Sequence, residues 1–271
     1  MIHSTALVHP TASINESVEI GAYSIVEKNV TIGAGTVIKE HAVIRENTTL
    51  GDDNIIYQFA TIGEAPQDLK FKNENTTCTI GDNNIFREYC SIHRGTKDGI
   101  SDTLIGNDNL FMAYTHVAHD CVIKDNCILS NAASLAGHVK LESYVSLGGF
   151  TLVHQYCHIG QYAFSGLGTV ISQDVTPFTL VAGNHAKAYK INSIGLKRKG
   201  FDSKAISSLE KCFKLFVKST KTKTEREKIF SQSELVNRHT TEFMDFISQS
   251  DRGITRSVSY THLRAHETNS N

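Results

Sequence analysis

Apolar residues keep a beat of six along most of this chain. Val8, Ile14, Ile20, Val26, Ile32, Ile38, Ile44, Leu50, Ile56 and Ile62 stand six positions apart. The beat returns at Ile80, Phe86 and Ile92. It returns again from Ile105 through Phe111, Val117, Ile123, Leu129, Leu135, Leu141, Leu147 and Val153 to Ile159. Ser165 breaks it and Ile171 restores it. Gly often follows the aliphatic residue, as in "IGAGTV" and "IGQYAF", and a small or β-branched residue often stands four positions on, as at Ser24, Val30, Thr36, Ala42 and Ala133. An α-helix repeats near 3.6 residues and a plain strand at 2, so neither holds a strict six over this length. A hexapeptide β-helix does: each hexad is a short strand plus a corner, and three hexads close a triangular coil. The aliphatic side chain then points inward, where burial contributes roughly 1.5–3 kcal/mol. The pattern predicts a mainly β fold over residues 1–191.

The interruptions are as regular as the beat. Ile62 to Ile80 is 18 residues, the length of one whole coil, and the polar stretch between them predicts a loop projecting near 63–79. Ile92 to Ile105 is 13 residues, two hexads plus one, so a second excursion is expected near 93–104. Loops on a rigid scaffold are where function tends to sit. From residue 192 the beat stops. Leu209, Phe213, Phe216 and Val217 fall on one helical face, and Asp202 or Ser203 offers an N-cap. A small α-helical C-terminal domain of about three helices is expected over 192–256. Residues 257–271 match neither pattern and read as a non-native or disordered tail, which sets His262 and His266 aside.

Cys90, Cys121, Cys127 and Cys157 each stand four after a beat residue, and Cys78 shares their phase, so all five read as small core residues. No C-x-x-C occurs to suggest zinc or a disulfide framework. Charge changes sign along the chain. Residues 1–191 hold 12 Lys+Arg against 19 Asp+Glu, whereas 192–256 hold 14 against 8. The basic second part suits an acidic partner or a solvated helical face, and the near-neutral whole gives no reason to expect nucleic acid. No stretch approaches the roughly 18 apolar residues of a membrane span, and the N-terminus lacks a secretory pattern, so the expected location is the cytoplasm.

The candidate chemistry lies in "AYTHVAHDCVI". On a helix, His116 and His119 would share a face and could grip a metal; on a strand they diverge. In a β-helix, residues one coil apart stack about 4.8 Å from each other. His119 then stacks with Gly137 and Gln155, and Asp120 with His138 and Tyr156. "HVAHD", "LAGH" and "VHQY" thus meet along one edge and gather His116, His119, His138, His154 and Gln155. Three readings fit: a general base with its orienting acid, a three-histidine zinc site of carbonic anhydrase type, or imidazoles decorating the wall of a non-catalytic trimeric scaffold.

The motifs "VHPTA", "IYQFATIGEAPQDLK", "IHRGT", "THVAHDC", "LAGHV", "VHQYCHIG", "QDVTPF", "GNHA" and "GLKRKGF" together resemble the UDP-N-acetylglucosamine O-acyltransferase family over Met1 to about Arg256. The beat begins at Val8, unlike the sister N-acyltransferases, which carry a domain before it. The resemblance implies a left-handed β-helix, a homotrimer with sites between subunits, and no cofactor. It implies transfer of an (R)-3-hydroxyacyl chain from acyl carrier protein to the sugar 3-hydroxyl, the first step of lipid A synthesis, although some members prefer a 3-amino sugar. His119 would be the base, Asp120 its partner, and the Gly137 N–H the oxyanion donor. Asp68, Lys70, His93, His116, His138, His154, Gln155, Asn192 and Arg198 would bind substrate. Leu167 and His185 would set acyl length, with Leu167 favouring shorter chains than a Gly there. The chain departs from the pattern at Lys199, where a second Arg is common, and at Ile194, where some members have Glu.

Overall fold

The computed structural model describes residues 1–257, so the expected tail lies, from 258 on, outside the described residues. The chain winds into a left-handed parallel β-helix followed by helices. Three sheets of nine, eight and ten strands form its faces. The first face begins at Leu7–Val8, the second at Ser13–Ile14 and the third at Glu19–Ile20, and most strands are two residues long. Val8 pairs with Val26, Ile14 with Ile32 and Ile20 with Ile38, so each beat residue sits on its equivalent in the next coil.

Corners make the six-residue period possible. The third residue after a beat residue repeatedly adopts positive φ: 57° at Tyr23, 59° at His41, 59° at Asp120, 62° at His138 and 64° at Tyr156. That conformation costs a non-glycine residue about 1–2 kcal/mol. A hydrogen bond to the coil beneath offsets it: His41 N donates to Ala22 O at 2.9 Å and His138 N to His119 O at 3.0 Å.

The interior is the expected column of aliphatic side chains, with Phe86 stacked on Phe111 at 4.6 Å. Val8 and Ile14, in the first coil, are covered on fewer sides and only partly buried. Ser165 breaks the apolar rule without exposing its hydroxyl, which bonds Thr151 Oγ1 at 2.8 Å. All six cysteines are free and buried, which bears out the reading of five of them as core.

Both interruptions are projecting loops, as expected, and pairing shows how the coil absorbs them. Ile80 pairs with Leu50 on the second face, and Ile105 pairs with Ile80. Each interruption is therefore one hexad carrying an insertion. Counting along sequence cannot separate a skipped beat from residues added at one corner. Strands Thr61–Glu64, Thr77–Ile80, Ser91–His93 and Asp102–Ile105 run into the expected loops, leaving 65–76 and 94–101 outside strands. Both insertions leave the edge between the first and second faces.

The repeat ends in an antiparallel hairpin, Thr179–Ala182 with Lys187–Ile191. Among the described residues four α-helices follow, α1 (Ser193–Arg198), α2 (Ser203–Phe213), α3 (Lys223–Ser231) and α4 (Arg238–Gln249), and a π-helical turn, Lys214–Lys218, prolongs α2. Asp202 caps α2 by accepting from Ala205 N at 2.7 Å. α3 escapes the apolar pattern because it buries no residue; the Thr222–Glu225 capping box starts it. No described helix is long and apolar enough to cross a membrane. The chain then returns to the β-helix, where Ile254 bridges to Asp174 of the last coil.

Because Phe111 fills the interior between stacked neighbours, Phe111→Ala should lower unfolding stability in urea by about 3–5 kcal/mol, whereas truncating the exposed Ile229 of α3 should change it little.

Candidate active site

The edge between the first and second faces collects the chemistry. In successive coils it presents the loop 65–76, the loop 94–101, then His119–Asp120, Gly137–His138 and His154–Gln155–Tyr156. Arg94 ties the two loops together: its guanidinium lies 5.4 Å from the Phe71 ring centre and donates to Gly63 O at 3.2 Å.

Asp120 is buried at the left-handed corner, φ 59°. The insertion before it leaves Thr103 Oγ1 to accept its N–H, at 2.9 Å. Its carboxylate accepts from Thr96 Oγ1 at 2.6 Å, Thr96 N at 3.1 Å, Ile100 N at 2.9 Å and His119 Nδ1 at 2.8 Å. Burial pushes the Asp120 pKa up, but the bonds from His119 and Thr96 prevail and hold it below the ordinary carboxylate value. An ionised Asp120 accepts, so His119 Nδ1 carries the proton and Nε2 the lone pair. A Cβ on Gly137 would stand 2.6 Å from His119 Cε1, so only glycine leaves room for this ring. The Gly137 N–H has no hydrogen-bond acceptor among the described residues.

Other imidazoles pack around this pair. His138 stands edge-on to His119, with centroids 5.1 Å apart, and stacks on Tyr156 at 4.4 Å. His116 shares a short bond with Ser91 Oγ, 2.8 Å, and meets His93 edge-on at 4.8 Å. Burial lowers the pKa of His116 and His138 and brings His93 down to about 4. Asp68, on the first loop, lies near enough to His138 to raise its pKa against that trend, while Lys70 is exposed. His154 and Gln155 are exposed on the next coil. A groove of about 560 Å³ opens beside Asp120 and His138 along the second face, walled by Val122, Lys140, His158 and Arg252. A hollow of about 610 Å³ near Leu7, Ile25 and Arg45 contains none of the site histidines.

Four expected residues lie elsewhere on the prism. Leu167, 77% exposed, stands on the edge between the third and first faces, beside the segment 183–186 that carries His185. Asn192 sits at the remaining edge. There it caps α1 through Gly195 N at 3.2 Å and donates to Tyr162 O at 3.1 Å. Arg198 is exposed at the end of α1, Lys199 lies 4.8 Å over the Tyr144 ring, and Ile194 is exposed. One chain does not bring these residues to His119. Conversely, the sequence reading missed Thr96, Ile100 and Arg252. The first two donate from an insertion without periodicity, and Arg252 arrives from the far end of the chain.

His119, Asp120 and His138 offer ligand atoms within 4.8 Å of one another, the described group best able to hold a metal. Here the Asp120 oxygens and His119 Nδ1 are already spent on each other and on the second loop. That bonding suits proton transfer better than ligation.

The depressed His93 pKa has a measurable consequence. An unfolded histidine takes up its proton near pH 6.5 and folded His93 only near 4, so the unfolded state binds more protons in between. Stability should fall as pH drops from about 6.5 to 4, less steeply in His93→Gln, and the His93 ring signals in an NMR titration should show no protonation above about pH 5.

Comparison with known proteins sharpens the assignment. A profile described as bacterial transferase hexapeptide (six repeats) matches residues 11–46 and 102–137. One described as Udp N-acetylglucosamine O-acyltransferase, domain 2, matches 174–255. The chain is 45% identical over 260 residues to the acyl-[acyl-carrier-protein]–UDP-N-acetylglucosamine O-acyltransferase of Herminiimonas arsenicoxydans, covering 94% of this chain and 99% of the relative. It is 43% identical to the protein of the same name from Thiobacillus denitrificans, with the same coverage. Among solved structures, the UDP-N-acetylglucosamine O-acyltransferase of Moraxella catarrhalis superposes with a TM-score of 0.91 at 42% identity, covering 94% of this chain and 99% of the other. The UDP-N-acetylglucosamine acyltransferase of Francisella novicida gives 0.91 at 35% identity over 100% of both chains. On repeat, site edge and likeness over nearly its whole length, the chain belongs to the UDP-N-acetylglucosamine O-acyltransferase family.

Proposed function

We propose that this protein transfers an (R)-3-hydroxyacyl chain from acyl carrier protein to the 3-hydroxyl of UDP-N-acetylglucosamine, the first step of lipid A biosynthesis, in the cytoplasm. The observation that carries the reading is the pair of half-buried His119 and buried Asp120, 2.8 Å apart and roofed by Gly137, in a chain whose relatives bear that name. With Nδ1 held by Asp120, His119 Nε2 takes the proton of the sugar hydroxyl as its oxygen attacks the acyl carbonyl. The free Gly137 N–H stabilises the oxyanion of the tetrahedral intermediate. Collapse expels the carrier's thiolate, and the imidazolium returns the proton to sulfur. His93, His116, His138 and Gln155 hold the sugar and phosphates from the same edge, Asp68 and Lys70 contact the sugar nucleotide from the loop, and His154 lies by the acyl chain. The basic 192–256 segment suits an acidic carrier.

A homotrimer completes this reading. Leu167, His185, Asn192 and Arg198 can join the site only from a neighbouring copy, since their own edges face away from His119. An outward column of stacked rings supports such contact. Tyr23, His41, Phe59, Tyr89 and Tyr114 run up the edge between the third and first faces with centroids 4.8–5.3 Å apart, and Tyr23 and Tyr114 are about 60% exposed.

Purified protein with UDP-N-acetylglucosamine and a panel of (R)-3-hydroxyacyl carrier proteins should give acylated sugar nucleotide by mass spectrometry. His119→Ala should lose about 10²–10⁴-fold of the rate, and a chelator should change nothing. A folded trimer yielding no product with this sugar or its 3-amino analogue would leave the scaffold reading. Leu167→Gly should shift the preferred acyl chain to greater length; an unchanged panel would remove Leu167 from the acyl groove.

A further inference from the structure

The C-terminal segment reaches back to the catalytic edge. Asp174, buried in the last coil, holds it: Asp174 N donates to Gly253 O at 3.0 Å, Thr255 N to Asp174 O at 2.7 Å, and Ser250 Oγ to Asp174 Oδ2 at 2.6 Å. Gly253, at φ 79°, turns the chain between these anchors. Arg252 is thereby laid over the β-helix. Its Nε donates to Ser172 O at 3.0 Å, and Nη2 lies 2.8 Å from Nδ1 of His154, a residue 98 positions earlier.

This contact fixes a proton. A guanidinium only donates, so His154 Nδ1 must be the acceptor and its proton resides on Nε2. The Gln155 carbonyl lies 3.2 Å from the same Nδ1 and could accept only from the other tautomer. The two neighbours ask for opposite states, and the shorter, charge-assisted bond prevails. We infer that Arg252 is a positioning residue for acyl transfer: it holds His154 in the Nε2–H tautomer and couples that state to docking of the C-terminal segment. Removing the guanidinium leaves Gln155 O to draw the proton to Nδ1, which turns the remaining nitrogen from a donor into an acceptor. The inference rests on the acyltransferase reading only for its kinetic consequence; the tautomer can be observed directly.

The test has two arms. In ¹⁵N-histidine-labelled protein, with His154 assigned by comparison with His154→Gln, wild-type Nδ1 should show the shift of an unprotonated nitrogen and Nε2 that of a protonated one. Arg252→Gln should move the pair toward the opposite pattern. A protonated Nδ1 in the neutral wild-type ring would overturn the inference whatever the activity. In acyl-transfer kinetics, Arg252→Gln should lower kcat/KM about tenfold or more, the effect of losing a charged hydrogen bond, and should add nothing in a His154→Ala background. An equal loss in both backgrounds would mean that Arg252 does not act through His154. Arg252→Lys, which keeps a cation, tests whether the segment still docks: a normal thermal midpoint with altered His154 shifts would separate positioning from folding. If the wild type transfers no acyl group, the acyltransferase reading fails, and the tautomer measurement still decides the contact.

Discussion

Asp120 carries a negative charge that is almost wholly withdrawn from water, and among the described residues no lysine or arginine neutralises it. A buried carboxylate survives only if hydrogen bonds replace its hydration. The second insertion supplies them: Thr96 and Ile100 turn their N–H groups onto the oxygens, and the Thr96 hydroxyl adds another. Gly99 makes the approach possible, since a Cβ there would stand 2.2 Å from the Asp120 carboxyl carbon. The loop's fold and the acid's ionisation are therefore one arrangement. Loss of the charge removes the loop's anchor, and loss of the loop strands the charge.

The rest of the site inherits its order from that corner. Asp120 fixes the His119 tautomer, the His119 ring demands glycine at 137, and the coil spacing sets His138 against both. None of these contacts needs a long or flexible side chain to search for its partner. Corners one coil apart are held by backbone bonds such as Tyr156 N to Gly137 O, 3.1 Å. Groups pre-positioned in this way need little reorganisation when charge develops in a reaction.

Much of this was legible in the sequence because the period converts position into space. The beat puts Ile20 under Ile38 and sets Asp120, His138 and Tyr156 in one column. Legibility failed where the period lapses. The partner of Ile80 could not be counted, because an insertion and a missing coil have equal length on paper. Thr96 reads as any polar loop residue, because its N–H and hydroxyl donate to a carboxylate 24 positions on, a link that leaves no compositional trace. Asn192, expected at the substrate, also caps α1 through Gly195 N, a second role that the spacing of residues does not announce. Arg252 was invisible for a different reason: nothing in local spacing links it to a histidine 98 residues away.

Both insertions enter at one corner and return to the same pairing, Ile80 on Leu50 and Ile105 on Ile80. A corner that absorbs added chain without shifting the register decouples the length of the lid from the stability of the wall. The two loops can lengthen, shorten or change sequence while the pairing of Ile80 and Ile105 with the wall stays where it was. The prism behaves as a chassis, and the first–second edge is an adjustable fitting on it.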